Sequence, residues 1–147
     1  MQISDLAQAH RGIFTLDIYR KGKLIEHFVD DNLIVDQGRT NVTRLLGGDG
    51  ANLQIAQIGF GTSNAVAAPG NTALTSTFVK AIDSHSYPSA TSVLFNFSLG
   101  TGEANGKAIY EFGLLTASGL LHARKVRGGA LMKESDLSFA GTWQLLY

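Results

Sequence analysis

The chain has 147 residues with twelve basic and twelve acidic side chains, so it carries no excess charge to hold a nucleic-acid backbone and no acidic excess of the kind found in disordered tails. It contains no cysteine, which excludes disulfides, thiolate metal sites and cysteine nucleophiles; only 16% of its residues are charged, which leaves a weakly ionic surface suited to permanent neighbours. The length fits one domain, no apolar run approaches the ~20 residues of a membrane-crossing helix, and Met1-Gln2-Ile3-Ser4-Asp5 is not a basic-then-apolar leader, so neither export nor membrane insertion is expected.

Residues 1–11 hold few large apolar groups and read as an N-terminal arm, leaving 12–147 as a single domain. Phe14, Leu16 and Ile18 alternate along a strand, Arg20-Lys21-Gly22-Lys23 supplies a turn, and Leu24–Val29 returns, which makes a hairpin. Asp30-Asp31-Asn32 reads as an interruption after it. A short helix is expected from an N-cap at Asp36 to a stop at Gly47, with Val42, Leu45 and Leu46 facing the sheet and Arg39 and Arg44 facing solvent or a neighbour.

Leu53–Phe60 reads as a strand, Ser63–Thr72 as a surface loop turning at Pro69-Gly70, and Thr72–Ile82 fits a helical turn or a strand equally well. Val93, Phe95, Phe97 and Leu99 alternate along a further strand, and a glycine-rich loop over 100–106 follows. Ala108–Leu115 and Leu120–Val126 form a second hairpin about Ala117-Ser118-Gly119; Leu137, Phe139, Trp143 and Leu145 share one face of the last strand. About eight strands, one short helix and glycine-rich connections predict an all-β domain with a two-layer β-sandwich or jelly-roll architecture.

Catalytic patterns are absent. Gly59-Phe60-Gly61-Thr62-Ser63-Asn64 lacks the third glycine of a dinucleotide fingerprint, no glycine-lysine-serine/threonine triplet marks a P-loop, and Ser118 has no nucleophile-elbow context. The histidines at 10, 27, 85 and 122 have no ligand spacing, so no metal or other cofactor is expected. Glu111, set in the apolar Tyr110-Glu111-Phe112, would have its pKa raised by burial unless a cation answers it; the structural alternatives are an ion pair with Arg124 or Arg127, or the outward face of the strand. The run Arg124–Lys133 holds four bases without interleaved aromatics, which suits a solvated loop or a contact with an acidic protein surface better than nucleic acid.

Three stretches, taken in order, resemble tailed-phage virion structural proteins of the tail-fibre and capsid-decoration type. They are Asn32–Arg39 with Leu45-Leu46-Gly47-Gly48; Ile58–Thr62 with Pro69–Leu74; and Tyr110–Leu115 with Gly119–Arg124, Lys133 and the strand around Trp143. The resemblance implies a non-enzymatic β-rich component assembled into the virion in the host cytoplasm. Its partners would be the major capsid protein or other virion proteins, and it would form a dimer or trimer of its own. A chain of this size looks most like a capsid decoration (cement) protein bridging capsid subunits; the alternative is a tail-fibre or baseplate adaptor, or a carbohydrate-binding component of the tail. Ile3, Leu6, Arg39, Arg44, Arg124, Lys125 and Arg127 are the expected partner-contact residues. A carbohydrate site would require Tyr19, Tyr87 or Trp143 to face solvent, whereas the alternation around Trp143 points it into the core.

Overall fold

The computed structural model describes residues 11–147. Alternating apolar side chains give β1 (Arg11–Arg20), which buries Phe14, Leu16 and Ile18 and leaves its odd-numbered residues less covered. Lys21 and Gly22 both have positive φ, 52° and 77°, the conformation of a two-residue turn whose twist matches the flanking strands. The chain therefore returns at once as β2 (Lys23–Ile34). Asp30-Asp31-Asn32 does not interrupt it: these residues lie opposite Phe14, Ile13 and Gly12, and the ladder with β1 holds them extended despite their poor strand propensity. Arg11, assigned by sequence to the arm, belongs to β1 and pairs with Leu146; Ile3 and Leu6 lie outside the described residues.

The helix α1 (Asp36–Leu46) begins at the residue expected to cap it, so the cap lies one residue earlier. Val35 is the N-cap, without a side-chain cap hydrogen bond, and Gly47 closes the C-terminus as expected. Its inward face is Gly38 and Asn41, whereas Leu45 is exposed and Leu46 is 84% exposed. The correction has a steric cause. A Cβ on Gly38 would sit 2.2 Å from the His122 carbonyl oxygen, so the helix can approach the sheet only on the side that presents this glycine.

Beyond α1 come β3 (Ile55–Gly61), β4 (Phe78–Ala81), β5 (Ser84–Ser89), β6 (Ser92–Leu99), β7 (Ala108–Thr116), β8 (Leu121–Met132) and β9 (Leu137–Leu146). The ambiguous Thr72–Ile82 segment thus contributes a strand, and β5 brings the described strands to nine. All pairings are antiparallel, in the order β4-β3-β7-β8-β2-β1-β9-β6-β5. The fold is all-β, a single sheet that curls on itself. Its two edge strands are consecutive in the chain, joined by Ile82 and Asp83, whose N–H groups donate to Ala56 on β3 and Asn96 on β6 respectively.

Aromatic rings fill the curl. Phe14 lies 4.9 Å from Phe112 and 5.0 Å from Trp143, while Phe60 reaches Phe97 at 6.2 Å and Phe139 at 6.4 Å, so strands distant in the sheet order share one core. Leu137, Phe139, Trp143 and Leu145 are all buried, as the alternation of the last strand predicts.

Candidate functional site

The basic run expected as a solvated loop or a contact with an acidic protein surface lies in β8 as far as Arg127, with Lys133 just past the strand, and its charges are used within the fold. β2 pairs with β8 only at Leu33–Arg124 and Ile34–Ala123. Beyond that point the two strands separate, β2 remaining with β1 and β8 with β7, and the register of β7 and β8 shifts between Ile109 and Glu111. The resulting fork encloses a cleft of about 550 Å³ bounded by Asp30–Leu33, Asn64, Val66, Ala67 and Arg124–Gly128.

Side chains bridge the fork where the main-chain ladder stops. Lys125 Nζ meets Asp30 Oδ2 at 2.6 Å, Arg127 Nη2 meets Glu26 Oε2 at 2.7 Å, and both cationic groups lie 5.7 Å from the centre of the Phe28 ring. The Lys125 hydrogen bond, aided by the Asp31 N–H, holds the Asp30 carboxyl below the usual carboxylate range. Arg127 Nη1 and the amide of Asn32 are buried at the same fork without hydrogen-bond partners among the described residues.

Arg124 is not on the partner surface where the sequence reading puts it. It is 3% exposed, and its Nε donates to Glu111 Oε1 at 2.9 Å beside a carboxylate that is itself 1% exposed. The ion pair offered as the alternative for Glu111 is therefore the one formed. Glu111 Oε2 accepts the N–H groups of Ser63 at 2.9 Å and Thr75 at 2.8 Å, and Arg124 Nη1 donates to Asn71 Oδ1 at 3.0 Å. Asn71 Oδ1 also accepts the Ala68 N–H, and the Pro69 carbonyl accepts the N–H of Asp36. One buried ion pair thereby ties both ends and the middle of the 62–77 loop to β7 and β8, and the Pro69 carbonyl ties the loop separately to the start of α1. Gly61 is required beside it, because a Cβ there would lie 2.5 Å from Glu111 Oε2.

Of the other candidates, Arg39 and Arg44 are exposed on α1, while Lys125 and Arg127 are half-buried and paired. The structure brings Arg124, Lys125 and Arg127 together at the fork and leaves Arg39 and Arg44 apart on the helix. Sequence reasoning missed Lys133, which is fully buried and donates from Nζ to the carbonyls of Thr101 and Glu134 and to Asn105 Oδ1, closing the glycine-rich loop; burial lowers its pKa. A lysine directly following an apolar strand segment was the available signal. It missed His122 as well, whose two ring nitrogens are buried with no hydrogen-bond partner among the described residues. Among the aromatic residues considered for sugar binding, Trp143 is internal, Tyr19 is half-buried and Tyr87 is 72% exposed.

Among the described residues, no three His, Cys, Asp or Glu side chains are grouped so as to hold a metal ion, and no helix is long and apolar enough to cross a membrane. The polar groups brought together here hold loops and strands in place. Compared with known protein families, curated proteins and solved structures, the chain matches none.

Proposed function

We propose that this chain is a non-enzymatic structural protein of a tailed-phage virion, in the first instance a capsid decoration protein that bridges neighbouring capsid subunits. The observation that carries the reading is the use made of the residues on which the resemblance rests. Glu111, Arg124, Asn71, Pro69 and Asp36 come from all three resembling stretches, and their hydrogen bonds meet at one place, where they anchor a loop. Residues spent on rigidity suit a building block rather than a catalyst, whose polar groups must remain open to a substrate.

In this reading the curled sheet is a two-layer sandwich, with β4, β3, β7 and β8 facing β2, β1, β9, β6 and β5 across the aromatic core. Its partners are the major capsid protein or other virion proteins, and further copies of the chain. Arg39, Arg44 and the exposed Leu46 on α1, together with Leu24, Ile25 and Val29 on β2, offer contact surface of mixed character. Weak contacts of this kind gain strength when many copies repeat them on a symmetric particle.

Quantitative mass spectrometry of purified particles tests the proposal. Hundreds of copies per particle are expected for a shell component. A few to a few dozen copies would move the chain to the tail as an adaptor or receptor-binding component, a second reading favoured by the open ring of Tyr87. Absence of the chain from particles would refute both.

A further inference from the structure

Lys133 is 0% exposed, yet among the described residues no carboxylate meets its amine, in contrast to Arg124, which pairs with the likewise buried Glu111. Its Nζ is held by oxygen atoms of neutral groups only: Asn105 Oδ1 at 2.8 Å, the Glu134 carbonyl at 3.1 Å and the Thr101 carbonyl at 3.3 Å. The main chain fixes this arrangement from both sides. The Lys133 N–H donates to the Lys107 carbonyl, and the Lys133 carbonyl accepts the N–H of Gly106, next to Asn105. Ala104 and Gly106, which flank Asn105, both have positive φ, 55° and 89°, so the loop bends on each side of the asparagine and the alanine is strained.

Such a site can do more than satisfy an ammonium ion. A protonated lysine has three N–H groups for the three oxygens, but the neutral amine has two and a lone pair. The main-chain carbonyls of Thr101 and Glu134 can only accept, whereas the Asn105 amide can turn, so the carbonyls keep the two N–H groups and the lone pair is left to Asn105. The Asn105 carbonyl carbon is one C=O bond from Oδ1, hence within about 4 Å of Nζ. Rotation of the amide brings that carbon into line for attack. Burial lowers the Lys133 pKa and favours the neutral amine, while the charges of Glu103 and, less strongly, Asp136 oppose this.

We propose that Lys133 and Asn105 join in an intramolecular isopeptide bond between Nζ and Cγ. Nζ adds to the amide carbon and gives up a proton; the Cγ–Nδ2 bond then breaks and Nδ2 leaves as ammonia. Counted from the lysine ammonium and the neutral amide, the products are a secondary amide and an ammonium ion, so no oxidant or reductant is needed. Glu103, in the same loop as Asn105, carries the proton from Nζ to Nδ2. Asn105 is exposed, which gives the ammonia a way out. The competing reaction of an Asn-Gly pair, closure of the Gly106 nitrogen onto Asn105, is opposed because that N–H is engaged by the Lys133 carbonyl. The inference concerns the chain by itself and does not rest on the virion reading.

The test is tandem mass spectrometry of tryptic digests of the folded full chain, freshly purified and after prolonged incubation. The bond makes Lys133 resistant to trypsin and joins 81–107 to 128–147 in one branched peptide, lighter than the sum of its two parts by one ammonia. Asn105→Ala, a change at the surface, should remove the branched peptide while the circular dichroism stays that of the wild type, and Lys133→Met should remove it too. Glu103→Gln should slow its appearance by about a hundredfold, so that the fresh variant is mostly linear. Linear peptides alone, cleaved after Lys133 even after incubation, would overturn the inference. So would ammonia loss confined to a linear 81–107 peptide, the mark of closure by Gly106, or ammonia loss that persists in Lys133→Met. Formation at the wild-type rate in Glu103→Gln would overturn the proton path.

Discussion

Acidification should destabilise this protein through His122. The imidazole is 3% exposed, neither ring nitrogen has a partner among the described residues, and burial pushes its pKa down from 6.5 to about 4. The folded state therefore keeps His122 neutral between these two values while the unfolded chain takes up a proton. Stability from this group is intact above pH 6.5 and declines as pH falls toward 4, with a total loss of about 3 kcal/mol at 1.36 kcal/mol per unit of pKa difference. Between pH 7.5 and pH 5 the loss is about 2 kcal/mol, which moves a urea midpoint by about 1 M for a typical slope. Urea unfolding of the wild type and His122→Leu across this interval measures it, since the variant lacks the titrating group and should show a much flatter profile. Parallel profiles for the two proteins would refute the reasoning, because they would mean that His122 protonates equally easily in both states.

Three further outcomes follow from the packing. Glu111→Gln or Arg124→Met, each leaving half of a buried ion pair, should cost about 3–5 kcal/mol in chemical denaturation, and Glu111→Gln should speed hydrogen exchange at the Ser63 and Thr75 amides that it anchors. Gly38→Ala places a methyl group against the His122 carbonyl and should destabilise by about 1–3 kcal/mol, with exchange in α1 rising first. Lys133→Met leaves the Thr101 and Glu134 carbonyls and Asn105 Oδ1 without their shared donor, and should cost about 1–3 kcal/mol, with limited proteolysis cutting the 100–106 loop.

Much of the β architecture is legible because burial on one face writes itself as alternation. Phe14, Leu16 and Ile18, and again Leu137, Phe139, Trp143 and Leu145, occupy one side of their strands because only that side meets the core. β5 carries no such record: Ser84–Ser89 is exposed throughout, and its extended form is set by pairing with β6. The apolar spacing of Val42, Leu45 and Leu46 misdirects, since a glycine and Asn41 decide which side of α1 meets the sheet. The candidate site was the least legible part. Asp30, Glu26 and Glu111 answer Lys125, Arg127 and Arg124 from 95, 101 and 13 residues away, so a one-dimensional reading sees a basic run where the folded protein has three ion pairs.

The place of β9 within the sheet bears on biosynthesis. Of the described strands it is synthesised last, yet it is inserted between β1, the earliest of them, and β6. Until it arrives, β1 presents an unpaired edge and Phe14 lacks the indole of Trp143 against which it packs. Co-translational folding can thus yield the β1–β2 hairpin but not the closed core, and a nascent chain stopped before residue 137 should rely on chaperones and fail to become protease-resistant.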